Sequence, residues 1–180
     1  MPDKDVKTIK HLIYYQYAKI IAKSAFGRDA KKESYGFIKK TFLDFINNEK
    51  KWSDILREDK QLVNAEKECI YCGSREDLSW EHIVPRSLLI NARCPACDKI
   101  QGIHNQVLAC RSCNSKKCTK GLYRFYKELF PDDKKFYDHI PPLLEKKYLK
   151  TIYYCHICNG TIDETGKDNL LTVLDLDFKG

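Results

Sequence analysis

The 180-residue sequence has no apolar run approaching the roughly 20 residues that a membrane-spanning helix needs. That absence excludes a helical membrane protein as the working expectation. The first residues, MPDKDVKTIKHLIYYQYAKII, also lack the order of a secretory leader: acidic residues come early, and Gln16 and Lys19 interrupt the apolar stretch. No repeat of long period and no low-complexity segment is visible, which argues against a repeat array or a solvated tail. An aromatic run of the type that reads RNA is missing too. With no leader, the chain is expected to stay in a reducing cytoplasm. There its nine cysteines are metal ligands rather than disulfides.

Hydrophobic residues make up 43% and aromatics 12% of the chain, enough to fold and too many for a disordered one. The length suits one domain, or a compact core with extensions. Lys plus Arg number 32 against 25 Asp plus Glu, a formal charge of +7 that favours an anionic partner such as nucleic acid or a membrane surface.

Ile9, Leu12, Ile13, Ile20 and Ile21 recur at helical spacing, with Gly27 as the stop. A second amphipathic helix carries Phe37, Ile38, Thr41, Phe42, Phe45 and Ile46, and Ser53 is placed to cap a short third one. This helical region, residues 1–60, contains no chemical motif and reads as a packing or docking unit. From Lys67 the texture changes to short strand-like runs, Leu78 to Trp80 and then Ile83 and Val84, between cysteine pairs. After Cys113 it turns helical again. Gly121 separates a short helix from one carrying Leu122, Phe125, Tyr126 and Leu129, and Pro131 closes it. Pro141 and Pro142 open another with Leu143, Leu144, Tyr148, Leu149 and Ile152 on one side. The end, LLTVLDLDF, alternates like a strand. The expected division is residues 1–60, a central unit over 61–130, and a helical extension over 131–180.

Four pairs have the form CxxC: Cys69/Cys72, Cys94/Cys97, Cys110/Cys113 and Cys155/Cys158, leaving Cys118 as a free thiol. Two intervening residues let both thiolates of a tight turn reach one zinc ion, and two pairs complete a tetrahedral site. Loop length alone allows Cys69/Cys72 to join Cys94/Cys97. Joining them to Cys110/Cys113 instead closes a staple around the residues that carry chemistry, and is the preferred pairing. Cys94, Cys97, Cys155 and Cys158 would then hold a second zinc that ties the C-terminal region to the centre.

Within that staple lie Trp80-Glu81-His82-Ile83-Val84-Pro85-Arg86 and His104-Asn105-Gln106, followed by Cys110-Arg111-Ser112-Cys113-Asn114-Ser115-Lys116-Lys117. A neutral imidazole takes a proton from water near pH 7. A hard divalent ion such as Mg²⁺ takes carboxylate, amide and phosphate oxygens. Lys and Arg hold a polyanion. Phosphodiester hydrolysis needs a set of this kind.

Through Cys69, Cys72, Glu81, His82, Pro85, Asn105, Cys110, Cys113, Asn114 and Lys117, the sequence resembles the HNH (ββα-metal) endonuclease family, in the subgroup with a four-cysteine zinc site. The match covers residues 67 to 120 and is specific because order, spacing and residue type agree together. It implies an α+β fold: a zinc-stapled ββα-metal unit flanked by helical N-terminal and C-terminal regions. It implies DNA cleavage with catalytic Mg²⁺ or Mn²⁺, giving a 5′-phosphate and a 3′-hydroxyl, in a restriction, defence or mobile-element setting, with a homodimer where both strands are cut. His82 would be the general base, Glu81 and Asn114 the metal ligands, and Asn105 the residue that pins the loop and orients the His82 ring. Two departures stand out. Glu81 replaces the commoner Asp, its extra methylene allowing contact with the metal through water. Asn114 replaces the family's final His.

Plainer readings stand beside these. Asn114 could simply cap the helix after Cys113, and His104, like His11, His139 and His156, reads as a surface or packing residue. Arg86, Arg111, Lys116, Lys117 and Lys120 are expected phosphate contacts because they cluster beside the motif. The competing function is a non-catalytic zinc-stapled nucleic-acid-binding module, with an RNA nuclease as the minor third. The zinc pairs and basic charge fit enzyme and binder equally. Glu81, His82 and Asn114 separate them, since a pure binder does not need that set.

Overall fold

A computed structural model describes residues 4–27, 33–52, 67–88, 103–166 and 170–178. Among these it is a mixed α+β protein with five α-helices and one two-stranded antiparallel sheet. Helices α1 (Ile9–Phe26) and α2 (Glu33–Ile46) are followed by strands β1 (Leu78–His82) and β2 (Gln106–Cys110). Helices α3 (Arg111–Lys117), α4 (Leu122–Leu129) and α5 (Pro142–Cys158) complete the order. The helix expected from Ser53 and the pair Cys94/Cys97 lie outside the described residues.

Local signals set the ends of the long helices. The Thr8 hydroxyl accepts the His11 amide at 3.3 Å and starts α1. Gly27, at φ 78°, ends it with its N–H on the Lys23 carbonyl. Helix α5 begins with Pro142 in its first turn, where no intrahelical donor is lost.

One apolar core runs through all three expected segments. Leu12 and Ile13 of α1, Phe42 and Phe45 of α2, Val107 of β2, Leu122 of α4 and Leu149 of α5 are buried together. Tyr14 stacks on Phe45 with ring centres 5.4 Å apart, and its hydroxyl donates to that of Tyr153 on α5 at 3.2 Å. The N-terminal helices are therefore packing elements of this core. No helix among the described residues is long and apolar enough to cross a membrane.

The C-terminal segment corrects the sequence expectation. LLTVLDLDF does not form a strand: residues Val173–Leu176 make a 3₁₀ turn, closed by reciprocal bonds between Thr172 and Asp175. A helix end, not a sheet edge, rewards this shape. The buried Asp177 carboxylate accepts the backbone amides of Tyr123 at 3.1 Å and Arg124 at 2.7 Å, and the Tyr148 hydroxyl at 2.6 Å. It thus caps α4 from 54 residues away along the chain. Gly121, which has no side chain to do so, precedes the helix, and a Cβ there would collide with the Asp177 carboxyl group.

Candidate functional site

The site is built on the β-hairpin and α3. The pairing register sets Leu78 opposite Cys110, Trp80 opposite Leu108, Glu81 opposite Val107 and His82 opposite Gln106. Because strand side chains alternate, Glu81 shares the inner face with the buried Val107 and Ala109, and His82 shares the outer one with Trp80. Ile83 and Val84, expected in the strand, lie just beyond it and are buried.

Four cysteines meet at one end of the hairpin. Cys69 and Cys72 sit in a turn whose Gly73, at φ 74°, returns its N–H to the Cys69 carbonyl at 2.8 Å. The same turn leans on the sheet, with the Ile70 amide donating to the Leu108 carbonyl at 3.0 Å. Cys110 ends β2 and caps α3, and Cys113 follows in its first turn. The four Sγ atoms all lie within 4.8 Å of one another, and those of Cys72 and Cys110 are 3.8 Å apart. A tetrahedral zinc with bonds of about 2.3 Å has an S–S edge of about 3.8 Å, so the cluster could hold a structural metal such as zinc.

The four thiols differ in their electrostatics. The Cys113 amide, donating to Sγ, holds the Cys110 thiol down to about 7, whereas burial pushes Cys113 far above its usual range. Were all four ionised, a cation would be needed to hold them together. This is the preferred pairing of the two; Cys155 and Cys158 stand in the last turn of α5, where Cys158 is disulfide-bonded and not the zinc thiolate expected from the sequence, and Cys94 and Cys97 lie outside the described residues.

At the other end of β1, His82 is half-buried. Burial first, then the positive charges of Arg86 and Lys117, hold its imidazole below the usual value, so it is neutral near pH 7. The Gln106 side-chain amide stands 3.2 Å from Nε2. Either its N–H donates to Nε2 or, with the amide turned over, Nε2–H donates to its oxygen and leaves the Nδ1 lone pair as the base. Gln106 is itself held by α5, where the Lys147 ammonium donates to its carbonyl at 3.1 Å.

Asn105 is fully buried and pins the chain leaving β1. Its Oδ1 accepts the Val84 amide at 2.8 Å, and its Nδ2 donates to the Val84 carbonyl at 2.9 Å. The Asn105 carbonyl also accepts the Ile83 amide at 2.9 Å. The expected loop-pinning is present. Contact with the His82 ring, however, comes from Gln106, which sequence reasoning passed over. The available signal was its place facing His82 once the hairpin register is known.

Glu81 points inward. Lys117 Nζ is 2.9 Å from its Oε1 and also donates to the His82 carbonyl at 3.4 Å. Burial raises the Glu81 carboxyl above its usual value, and the Lys117 charge pulls it only partly back. The Glu81 carboxylate faces two polar groups, the Lys117 ammonium and the buried Tyr71 hydroxyl. The Tyr71 phenol is pushed well above its normal range by burial and then by the Glu81 charge. Asn114, half-buried, lies three residues before Lys117 and so on the same side of α3. It does not cap α3; the Cys110 sulfur does, accepting the Cys113 amide at 3.5 Å.

The basic cluster divides. Arg86, Arg111 and Lys116 are exposed, as is His104. Lys117, expected as a phosphate contact, has no exposed side-chain surface and is spent on Glu81. Lys120 is also engaged within the protein, 2.7 Å from Glu128 and 3.0 Å from the Lys116 carbonyl. Lys117 thus has a partner in the fold in place of the phosphate expected from the sequence, whereas Lys120 keeps 38% of its side chain exposed in a surface ion pair. No family model matches the sequence, and no curated protein or solved structure matches it either.

Proposed function

We propose that the chain is a metal-dependent HNH-type endonuclease that hydrolyses DNA phosphodiester bonds with His82 as general base. The observation that carries this reading is the end of β1. There a neutral, half-buried imidazole held by Gln106 directly follows a buried carboxylate in ion contact with Lys117, the two side chains leaving opposite faces of the strand. In this reading the Glu81 carboxylate and the Asn114 amide would be the two protein oxygens on a hard divalent ion, which would take the place of Lys117 at Glu81. Such an ion, when bound, supplies positive charge to the scissile phosphate and the departing oxygen.

The protein's own residues do the rest. With Nε2–H donated to the Gln106 oxygen, His82 takes a proton from water at Nδ1. Asn105 holds the backbone that carries the ring. Exposed Arg86, Arg111 and Lys116 hold the DNA backbone.

A second reading has one observation in its favour. The Lys117 ammonium already stands against Glu81, as in a closed ion pair of a zinc-stapled binding module with no catalytic metal. Supercoiled plasmid with Mg²⁺ or Mn²⁺ separates the two. The nuclease reading expects nicking by zinc-loaded wild type, lost without the divalent ion and lost in a folded His82→Ala variant. Binding without cutting by both proteins would favour the module, and equal cutting by both would remove His82 from the role of base.

A further inference from the structure

Trp80 is 59% exposed, although an indole is among the side chains that gain most from burial. It sits in the middle of β1. Strand alternation places it on the face of His82, two residues and about 7 Å along the strand. Its cross-strand neighbour is the half-buried Leu108, an apolar support under the ring. The other tryptophan, Trp52, is by contrast stacked in the core against Tyr17 at 4.8 Å.

The surroundings select the partner. Arg86 lies beyond His82 and Arg111 follows β2, both exposed. Glu81, the acidic neighbour in sequence, is turned to the opposite face and paired with Lys117. Glu76 and Asp77 precede the strand at the end away from His82, where Arg111 also stands, its amide donating to the Asp77 carbonyl at 3.1 Å. An exposed aromatic plate one strand step from a base for phosphodiester hydrolysis, with the exposed Arg86 beyond that base, matches a nucleobase on a phosphate backbone. A base inside a duplex has both faces covered by its neighbours. Only an unpaired one offers a face to Trp80.

We propose that Trp80 is a stacking platform for an unpaired DNA base next to the scissile phosphate, so that the substrate is single-stranded DNA or a strand that leaves a duplex. This inference rests on the nuclease reading for the word substrate, but its test does not read cleavage.

The experiment measures binding of a labelled single-stranded oligothymidylate and of a blunt duplex to the full zinc-loaded chain, with no other divalent ion added. Trp80→Ala is expected to weaken single-strand binding roughly 5- to 150-fold, the contribution of one stacked base. Trp80→Phe should retain most of it, and duplex binding should hardly change. The salt dependence should keep its slope, because no phosphate contact is lost. In a Trp52→Phe background, single-stranded DNA should quench the Trp80 emission. Equal loss on both DNAs, no loss on either, or no quenching would overturn the proposal. A concentration-dependent dimer abolished by Trp80→Ala would also overturn it, assigning the indole to a protein contact. A chain that stacks single strands but never cuts refutes the nuclease reading alone, and one that cuts without single-strand preference refutes this inference alone.

Discussion

Replacing Lys117 by Met puts the two assignments of this residue in direct conflict. On the surface it would be a phosphate contact; in the structure it is a buried peg between β1 and α3. Its side chain is fully buried and the Glu81 side chain only 5% exposed, so solvent does little to screen the pair. Removing one partner leaves a buried carboxylate facing only the Tyr71 phenol and apolar neighbours. The cost of breaking such a pair is about 3–5 kcal/mol. Glu81, already raised by burial, escapes part of that cost by taking up a proton, which favours the lower end. At about 2–4 °C per kcal/mol for a chain of this size, Lys117→Met should lower Tm by roughly 10 °C. Adding Glu81→Leu should restore most of the loss, since two apolar groups of similar volume carry no uncompensated charge. Denaturation of both single variants and the double variant, with zinc retained, makes the measurement. Unchanged stability in Lys117→Met, with weaker DNA binding and a salt slope reduced by about one, would refute the buried-peg argument and return Lys117 to the DNA surface.

Two further outcomes follow from the metal cluster and the core. Zinc analysis should show one equivalent fewer in Cys72→Ser than in wild type but no loss in Cys118→Ser, and chelation should unfold the hairpin region, because binding free energy at such a site is folding free energy. Equal zinc content in all three proteins would remove the metal from the cluster. Glu145, buried on α5, accepts the Tyr123 hydroxyl at 2.9 Å, and burial raises its carboxyl despite the opposing charge of Lys19. A raised folded pKa means its contribution is fully present below the unfolded value of about 4.3 and is lost as pH rises through the folded one. The stability of Glu145→Gln relative to wild type should therefore increase from about pH 4 toward neutrality; a difference that stays constant with pH would sink this reasoning.

The sequence was legible wherever a local rule sufficed. Helical spacing and Gly27 gave α1, the apolar face of Phe42 and Phe45 gave α2, and Pro142 gave the start of α5, because each is decided within a few turns of chain. The cysteine spacing led to the preferred meeting of Cys69, Cys72, Cys110 and Cys113, since CxxC turns have few other uses in such numbers. The alternation in LLTVLDLDF misled, because period-two patterning also fits a turn that buries Leu176 and aims Asp177 at a helix end.

What lay beyond the sequence was every choice made by distant neighbours. Residue type marked Glu81, His82, Asn105 and Asn114 as a set, but only the hairpin register could choose Gln106 to hold the imidazole. Only packing of α3 against β1 could turn Lys117 from a surface cation into the buried partner of Glu81. Only the strand's two faces could leave Trp80 in solvent beside His82. The physical reason is common to all three. Composition and spacing fix which groups a chain carries, whereas the partner that satisfies or neutralises a group is set by folding, often from many residues away.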